Sequence, residues 1–142
     1  MSTGSVSVLG GGSFGTVIAN IVAENGYHVN FWMRSEERVA QVNATHENAA
    51  YLPGYTLHTN VVAYHDMASA VSDSDLIFVA VPSAYFRAVV RDMLQFTRPD
   101  LMLVSLTKGI EAGTFLLMSQ VLKQEAPHLF LNLSQDVQLD FS

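Results

Sequence analysis

Short apolar runs alternate along the chain with segments of helical periodicity. The runs predict buried strands, because β-branched and aromatic residues in runs that end at turn residues are typical of a parallel sheet. The five predicted strands are Val6–Leu9, His28–Met33, Asn60–Tyr64, Leu76–Val81 and Leu101–Leu106.

The segments between the strands repeat apolar residues at intervals of three and four, as on one face of a helix. The first helix carries Phe14, Val17, Ile18, Ile21 and Val22, and is expected to end at Asn25-Gly26. Further helices are predicted at Glu36–Val42, at Met67–Val71, between Phe86 and Leu94, and between Phe115 and Leu122. The alternation predicts an α/β fold with a doubly wound, mainly parallel sheet and helices on both faces.

Composition favours one globular domain and argues against several functions. The 142 residues are 49% apolar and 14% charged, which is typical of a chain with a large core. We assign residues 1–126 to the domain and 127–142 to an irregular tail, because the pattern stops after Pro127. The net charge of −6, with scattered lysines and arginines, argues against nucleic-acid binding. The sequence shows no signal peptide, membrane-spanning run, cysteine or metal-ligand spacing of histidines, so a cytoplasmic protein without a metal is expected.

Three glycines, Gly10, Gly12 and Gly15, form the pattern G-x-G-x-x-G between the first predicted strand and the first predicted helix. That context is typical of a loop that binds the pyrophosphate of a dinucleotide, and so of a Rossmann-type domain. Gly10 permits the tight turn, Gly12 leaves room for the phosphates, and Gly15 lets the helix approach the strand. The helix N-terminus adds unpaired N–H groups and a partial positive charge. A glycine-rich turn without a ligand is the alternative.

The end of the second strand indicates which dinucleotide binds. NAD-binding domains usually carry an acidic residue there, about 20 residues beyond the glycines, for the adenosine 2′-hydroxyl. Here Arg34 and Ser35 stand at that point, and the acids Glu36 and Glu37 come later. An arginine suits a 2′-phosphate, so NADP(H) is expected over NAD(H), with Ser35 as an additional hydrogen-bonding group. A solvated surface arginine is the alternative.

Lys108 is one of two lysines in the chain and follows the last predicted strand. Ligands of open α/β sheets bind beyond the carboxyl ends of the strands, so its side chain is expected in the same cleft as the glycine loop. Near a carbonyl substrate, its ammonium can polarise or protonate the oxygen as hydride reaches the carbon. A loop lysine in solvent is the alternative.

Four motifs occur in an order and spacing that resemble those of the bacterial NAD(P)-dependent glycerol-3-phosphate dehydrogenases: VLGGGSFGT, NAAYLPG, VAVPS and TKGIEAGT. The resemblance covers the amino-terminal cofactor domain of that family, from about Val6 to Leu122. It implies reduction of dihydroxyacetone phosphate to sn-glycerol 3-phosphate, a reaction that feeds phospholipid synthesis.

The resemblance also implies roles for individual positions. Ser13 and Phe14 match a cofactor-contacting pair, and Arg34 matches the residue at the adenosine phosphate. Tyr51 matches a position that approaches the cofactor, Pro82 and Tyr85 lie where the family's chain passes the nicotinamide, and Lys108 matches a lysine that contacts cofactor and substrate. For the aromatic residues among these, core packing is the alternative.

The chain departs from the family in length. Family members are more than twice as long and continue into an all-helical substrate domain, whereas this sequence ends in HLFLNLSQDVQLDFS. We therefore expect a truncated cofactor-binding portion that is inactive alone, with an exposed apolar patch where the substrate domain of the family would pack and a tendency to form a homo-oligomer. The alternatives are a stand-alone NADP(H)-binding module without catalysis, and a Rossmann dehydrogenase of the β-hydroxyacid or ketopantoate type.

Overall fold

The computed structural model describes residues 5–129. Within them, five strands form one sheet: β1 (Ser5–Leu9), β2 (His28–Trp32), β3 (Val61–Tyr64), β4 (Ser74–Val79) and β5 (Met102–Ser105). The helices of the same region are α1 (Ser13–Glu24), α2 (Glu36–Thr45), α3 (Met67–Val71), α4 (Ser83–Leu94) and α5 (Met118–Glu125).

All strand pairs of the sheet are parallel, in the order β3-β2-β1-β4-β5. The chain builds outward from β1 to β3 and then crosses to β4 on the other side of β1. The order therefore reverses between β1 and β4, and the connections that leave their carboxyl ends diverge there. A crevice for a ligand forms at such a switch point. The predicted doubly wound, parallel sheet is confirmed.

Helices cover both faces of the sheet, as predicted. One core lies between the sheet and the helices α3, α4 and α5, and includes Leu9 of β1. The other core lies on the side of α1 and α2, and includes Val8 of β1. Successive side chains of a strand point to opposite faces, so a strand buried on both faces is a continuous apolar run. This is the physical reason why the strands could be recognised in the sequence.

The buried side of α1 only partly matches the predicted apolar face, of which Ile18 and Val22 pack half-buried against the core. Its buried residues are Gly15, Thr16, Ala19, Asn20 and Ala23. In contrast, Phe14 is 56% exposed and Ile21 is 46% exposed. Small side chains let the helix lie close to the sheet, and the buried hydroxyl of Thr16 is satisfied by the carbonyl of Gly12 at 2.6 Å. Close approach, rather than maximal apolar area, selected the buried side.

Most element boundaries differ from the prediction by one to three residues, and two of these differences are informative. The strand β4 begins at Ser74, two residues before the apolar run, because the buried hydroxyls of Ser74 and Ser7 hydrogen-bond to each other. The last helix begins only at Met118. Phe115, which the periodicity placed on that helix, has a φ of 60° and is 80% exposed. It belongs to the loop before the helix.

The described region ends within the segment predicted as an irregular tail, and residues 127–129 of that segment are helical, so the prediction is wrong for these three residues. Leu129 is 4% exposed and packs in the core beside α5. The rest of that segment, 130–142, lies outside the described residues. No helix between residues 5 and 129 is long and apolar enough to cross a membrane.

Apolar side chains are exposed on the α1 side of the sheet. Met102 of β5 is 58% exposed. A groove of about 350 Å³ runs between α1 and β4 and is lined mainly by apolar side chains, among them Ile21, Val22, Leu76 and Phe78. Whether this surface is the patch expected against a substrate domain stays a prediction. Self-association through it stays a prediction.

Candidate functional site

A cleft of about 900 Å³ opens at the carboxyl ends of the strands. It contains every residue that the sequence predicted for cofactor or substrate: Gly10, Gly12, Ser13, Phe14, Gly15, Arg34, Tyr51, Pro82, Tyr85 and Lys108. Lys108 and the glycine loop therefore line one cleft, although more than 90 residues separate them in the sequence. The roles assigned to the individual residues stay predictions.

The three glycines of the loop have different structural requirements. Gly10 has a φ of +122°, and a Cβ there would lie 2.3 Å from the carbonyl oxygen of Ala80. A Cβ on Gly15 would lie 2.1 Å from the carbonyl oxygen of Gly10. Gly12 has an ordinary φ of −75°, and nothing lies within 4 Å of its ideal Cβ position. The fold needs Gly10 and Gly15, whereas a side chain at Gly12 would only take up space in the cleft.

The N-terminus of α1 faces that space. Gly12 is the N-cap residue and has no side chain that could accept from the first-turn N–H groups. These N–H groups have no partner inside a helix, and together with the helix dipole they favour an anion. The open position at Gly12 and the uncapped helix end fit the pyrophosphate of a dinucleotide.

The side chain of Asn48 hydrogen-bonds to the glycine loop and to the first turn of α1. Its side chain is completely buried, and Nδ2 donates to the carbonyl of Gly11 at 2.8 Å and to the hydroxyl of Thr16 at 3.0 Å. Both donors of the amide therefore act on the loop and the first turn of α1. Asn48 was not among the predicted site residues, although it begins the NAAYLPG motif. Only its burial and its two partners reveal its contribution.

The aromatic residues predicted for the cofactor are exposed and do not belong to a core. Tyr51 and Tyr85 are each 42% exposed, and Phe14 is more exposed still. Core packing, the alternative for these three residues, is therefore wrong. The Tyr85 ring lies 3.9 Å from the guanidinium carbon of Arg34. The residue that the resemblance assigns to the nicotinamide thus contacts the one assigned to the adenosine phosphate.

The loop between β2 and α2 presents two arginines to the cleft. Arg34 follows β2, and Arg38 lies in the first turn of α2, 4.5 Å from the centroid of the Tyr51 ring. The Ser35 hydroxyl accepts from the backbone N–H of Arg38 at 3.2 Å and caps α2. Ser35 can still donate its hydroxyl proton to a ligand. Arg38 was not predicted, because a single arginine on a helix is usually a surface residue.

The backbone on either side of Lys108 is fixed to neighbouring elements. The hydroxyl of Thr107 donates to the carbonyl of Val81 at 2.7 Å. Gly109 has a φ of +118° and lies against Ser83, the first residue of α4, so that a Cβ on Gly109 would meet Ser83 at 3.5 Å. Lys108 itself is exposed at the edge of the cleft. Its ammonium is therefore carried on a fixed backbone and is accessible to a ligand.

Comparison with known proteins agrees with this geometry. The family model for the N-terminus of NAD-dependent glycerol-3-phosphate dehydrogenase matches residues 5–133. The glycerol-3-phosphate dehydrogenase (NAD(P)+) of Saccharophagus degradans is 50% identical over 121 residues, which cover 85% of this chain and 34% of that protein. The corresponding enzyme of Pseudomonas fluorescens is 48% identical over 122 residues, with 86% and 36% covered.

Solved structures show the same similarity. The crystal structure of glycerol-3-phosphate dehydrogenase from Coxiella burnetii superposes with a TM-score of 0.82 at 28% identity, over 87% of this chain and 38% of that one. The chain thus spans only about a third of the length of the curated relatives it matches. A ketopantoate reductase from Ralstonia eutropha also superposes, with a TM-score of 0.63 over 89% of this chain and 37% of that one, but at 19% identity this similarity shows the fold alone. The chain belongs to the NAD-dependent glycerol-3-phosphate dehydrogenase family, whose N-terminal region it matches.

Proposed function

We propose that this chain binds NADP(H) in the cleft and supplies the cofactor half of a glycerol-3-phosphate dehydrogenase. The reaction is reduction of dihydroxyacetone phosphate to sn-glycerol 3-phosphate, in the cytoplasm, for phospholipid synthesis. The observation that supports it is that an uncapped, glycine-lined helix terminus and the Lys108 side chain line the same cleft. Family membership supports the same conclusion.

The N-terminus of α1 would hold the diphosphate. The open space at Gly12 lets the phosphates approach the backbone, and the N–H groups of Ser13 and Phe14 would donate to them. Arg34 would bind the adenosine 2′-phosphate, because a guanidinium forms paired, charge-assisted hydrogen bonds with phosphate oxygens. NADP(H) is therefore preferred over NAD(H) in this proposal.

Lys108 would act on the substrate carbonyl. Bound NADPH supplies the hydride that adds to the carbonyl carbon of dihydroxyacetone phosphate. The Lys108 ammonium donates a hydrogen bond to the carbonyl oxygen and stabilises the negative charge that develops there. It then provides the proton that completes the hydroxyl group. Pro82 and Tyr85 would line the side of the cleft along which the cofactor extends.

We expect the 142-residue portion, purified by itself, to bind cofactor but to turn over little or no substrate, because it spans only about a third of the length of its curated relatives. Hydride transfer needs the substrate held at near-attack distance, and a misplacement of about 1 Å can cost about 100-fold. Titration of the purified chain with NADPH and NADH, followed by nicotinamide fluorescence, tests the binding. Addition of dihydroxyacetone phosphate tests the turnover. Absence of NADPH binding would overturn the proposal, and robust turnover would overturn the expectation of inactivity.

The same titration on Lys108→Ala tests whether Lys108 contacts the bound cofactor. If Lys108 contacts the nicotinamide end of the cofactor as well as the substrate, this variant binds NADPH less tightly. Unchanged NADPH affinity would place Lys108 away from the bound cofactor.

A further inference from the structure

An ion-pair network joins the segment after Lys108 to two helices. Glu111 lies three residues beyond Lys108 and accepts two hydrogen bonds from Arg87 of α4, from Nε at 2.7 Å and from Nη2 at 2.9 Å. This is the paired arrangement in which a guanidinium binds a carboxylate most specifically. The two side chains are 23% and 17% exposed, so solvent screens the pair only partly.

The same guanidinium also reaches α5. Arg87 donates from Nη1 to Glu125 at 2.5 Å and from Nη2 to Gln124 at 2.8 Å. Glu125 also accepts two hydrogen bonds from Arg91, at 2.8 and 3.0 Å. One arginine thus connects the Lys108 segment, α4 and α5. Because the Arg87 side chain extends from α4 and is also hydrogen-bonded to α5, its position is restrained when it binds Glu111.

Glu111 is also held from its own side. Its carboxylate accepts from the hydroxyl of Thr114 at 2.6 Å, and its backbone N–H donates to the carbonyl of Leu116 at 2.8 Å. Hydrogen bonds lower the pKa of Glu111 to about 2, chiefly the one from Arg87 and then the one from Thr114. The carboxylate therefore stays ionised at neutral pH and keeps the contact permanently.

We propose that Arg87 and Glu111 are positioning residues, whose ion pair clamps segment 109–111 onto α4 and thereby orients the Lys108 ammonium in the cleft. This inference rests on the proposed function, since it gives Lys108 a ligand to meet. Two observations place this segment beside α4: a Cβ on Gly109 would lie 3.5 Å from the Ser83 side chain at the start of the helix, and Glu111 pairs with Arg87 one turn later. Lys108 directly precedes this clamped stretch.

The test compares binding of NADPH with binding of adenosine 2′,5′-bisphosphate, which lacks the nicotinamide half. The variants Glu111→Gln, Lys108→Ala and the double variant are titrated in the full 142-residue chain. Lys108→Ala should weaken NADPH binding about 10-fold, the loss of one hydrogen bond from a charged donor. Glu111→Gln should weaken it about 3- to 10-fold through misplacement of the same ammonium. Neither variant should change bisphosphate binding more than about twofold, because that ligand occupies the glycine-loop end.

The double variant distinguishes positioning from a general structural effect. When Lys108 is already absent, Glu111→Gln should cost less than about twofold more in NADPH affinity, since the two losses act through one contact. Arg87→Lys keeps the charge but loses the paired geometry, and should repeat the effect of Glu111→Gln. Arg87→Lys also provides the test of the ion pair if Glu111→Gln fails to fold. Asp75→Asn is the matched control, because it breaks the exposed ion pair with Arg98 and should leave both affinities unchanged.

Additive losses in the double variant, or equal losses of NADPH and bisphosphate binding, would overturn the positioning role. Unchanged NADPH binding in Lys108→Ala would instead overturn the role of Lys108 in the proposed function. The two failures are therefore distinguishable.

Discussion

The guanidinium carbon of Arg34 lies 3.9 Å from the centroid of the Tyr85 ring. Arg34 follows β2 and Tyr85 lies on α4, after β4, so the contact spans the carboxyl end of β1 between them. A cation–π contact at an exposed site contributes about 0.5–1 kcal/mol. A phosphate that offers a charge-assisted hydrogen bond of about 1.5–3 kcal/mol outcompetes it. The stack therefore holds the Arg34 guanidinium at the cleft without preventing it from binding a ligand.

Arg34→Ala should reduce the preference for NADPH over NADH. Loss of the 2′-phosphate contact should weaken NADPH binding by roughly 10- to 100-fold, the equivalent of about 1.5–3 kcal/mol, and leave NADH binding nearly unchanged. Fluorescence titration with both nucleotides measures the ratio. Arg98→Ala removes an arginine that pairs with Asp75 on the exposed surface and serves as the control. An unchanged ratio in Arg34→Ala would show that this arginine does not read the 2′-phosphate.

Gly12→Ala should separate ligand binding from folding. The backbone at Gly12 suits alanine, and nothing lies within 4 Å of the new methyl group. Stability should therefore change by less than about 1 kcal/mol. NADPH affinity should fall more than about 10-fold, because the methyl group occupies space that the phosphates need. Thermal unfolding and NADPH titration of the same preparation measure the two effects.

Gly15→Ala is the matched comparison for Gly12→Ala. Its methyl group would lie 2.1 Å from the backbone oxygen of Gly10, which cannot move freely. We expect destabilisation by about 1–3 kcal/mol, as for overpacking in a core. If Gly12→Ala binds NADPH as tightly as the wild type, the phosphates do not need the space at Gly12.

The fold was predictable because β1 and β2 are buried on both faces and the other strands contain apolar runs. Continuous apolar runs such as that of β4 need no partner residue to be recognised, and the glycine pattern located the switch point. The predicted boundaries of strands and helices were wrong where a contact between residues distant in the sequence determines them. Ser74 belongs to β4 only because Ser7 lies beside it, and these residues are far apart in the sequence. The side of α1 that is buried depended on close approach to the sheet, which apolar periodicity does not describe.

Those residues of the candidate site that directly follow the end of a strand were predictable from the sequence. Arg34 and Lys108 could be assigned to the cleft because ligands bind beyond the carboxyl ends of parallel strands. The residues that hold the site were not predictable. Asn48 and Glu111 act through partners that are remote in the sequence, and a lone asparagine or glutamate gives no signal of that pairing.

Asn48→Ala should lower both stability and cofactor affinity. It leaves the buried carbonyl of Gly11 and the hydroxyl of Thr16 without this donor, which should cost about 1–3 kcal/mol in the free energy of unfolding. The glycine loop loses its support, so NADPH binding should weaken as well. Asn20→Ala is the matched control, because Asn20 is also buried on two hydrogen bonds, to Tyr55 and His58, away from the loop. A similar stability loss without an affinity loss is expected there. Equal effects of both variants on NADPH binding would contradict a specific role for Asn48.

The stabilisation that Glu111 contributes to the folded chain should be lost in acid, in a defined pH range. Hydrogen bonds from Arg87 and Thr114 lower its pKa from 4.5 to about 2 in the folded chain. A group whose pKa is lowered by folding stabilises the folded state above its unfolded pKa, and this contribution is lost as the pH falls. The free energy of unfolding should thus fall from about pH 4.5 towards pH 2, and urea denaturation at several pH values measures it. The Arg87 guanidinium, whose pKa is raised, stays charged throughout this range.

The Glu111→Gln variant identifies this contribution among the other carboxylates. Glu125 and Asp66 also have lowered pKa values, for Glu125 chiefly through Arg91 and for Asp66 chiefly through Ser69, so the wild-type curve contains more than one titration. The stability difference between wild type and Glu111→Gln should be largest above about pH 4.5 and should shrink towards pH 2. Arg87→Gln should also reduce the change of the free energy of unfolding with pH, because it removes the main cause of the lowered pKa of Glu111. A difference that stays constant with pH would mean that the carboxylate of Glu111 is not stabilised by this ion pair.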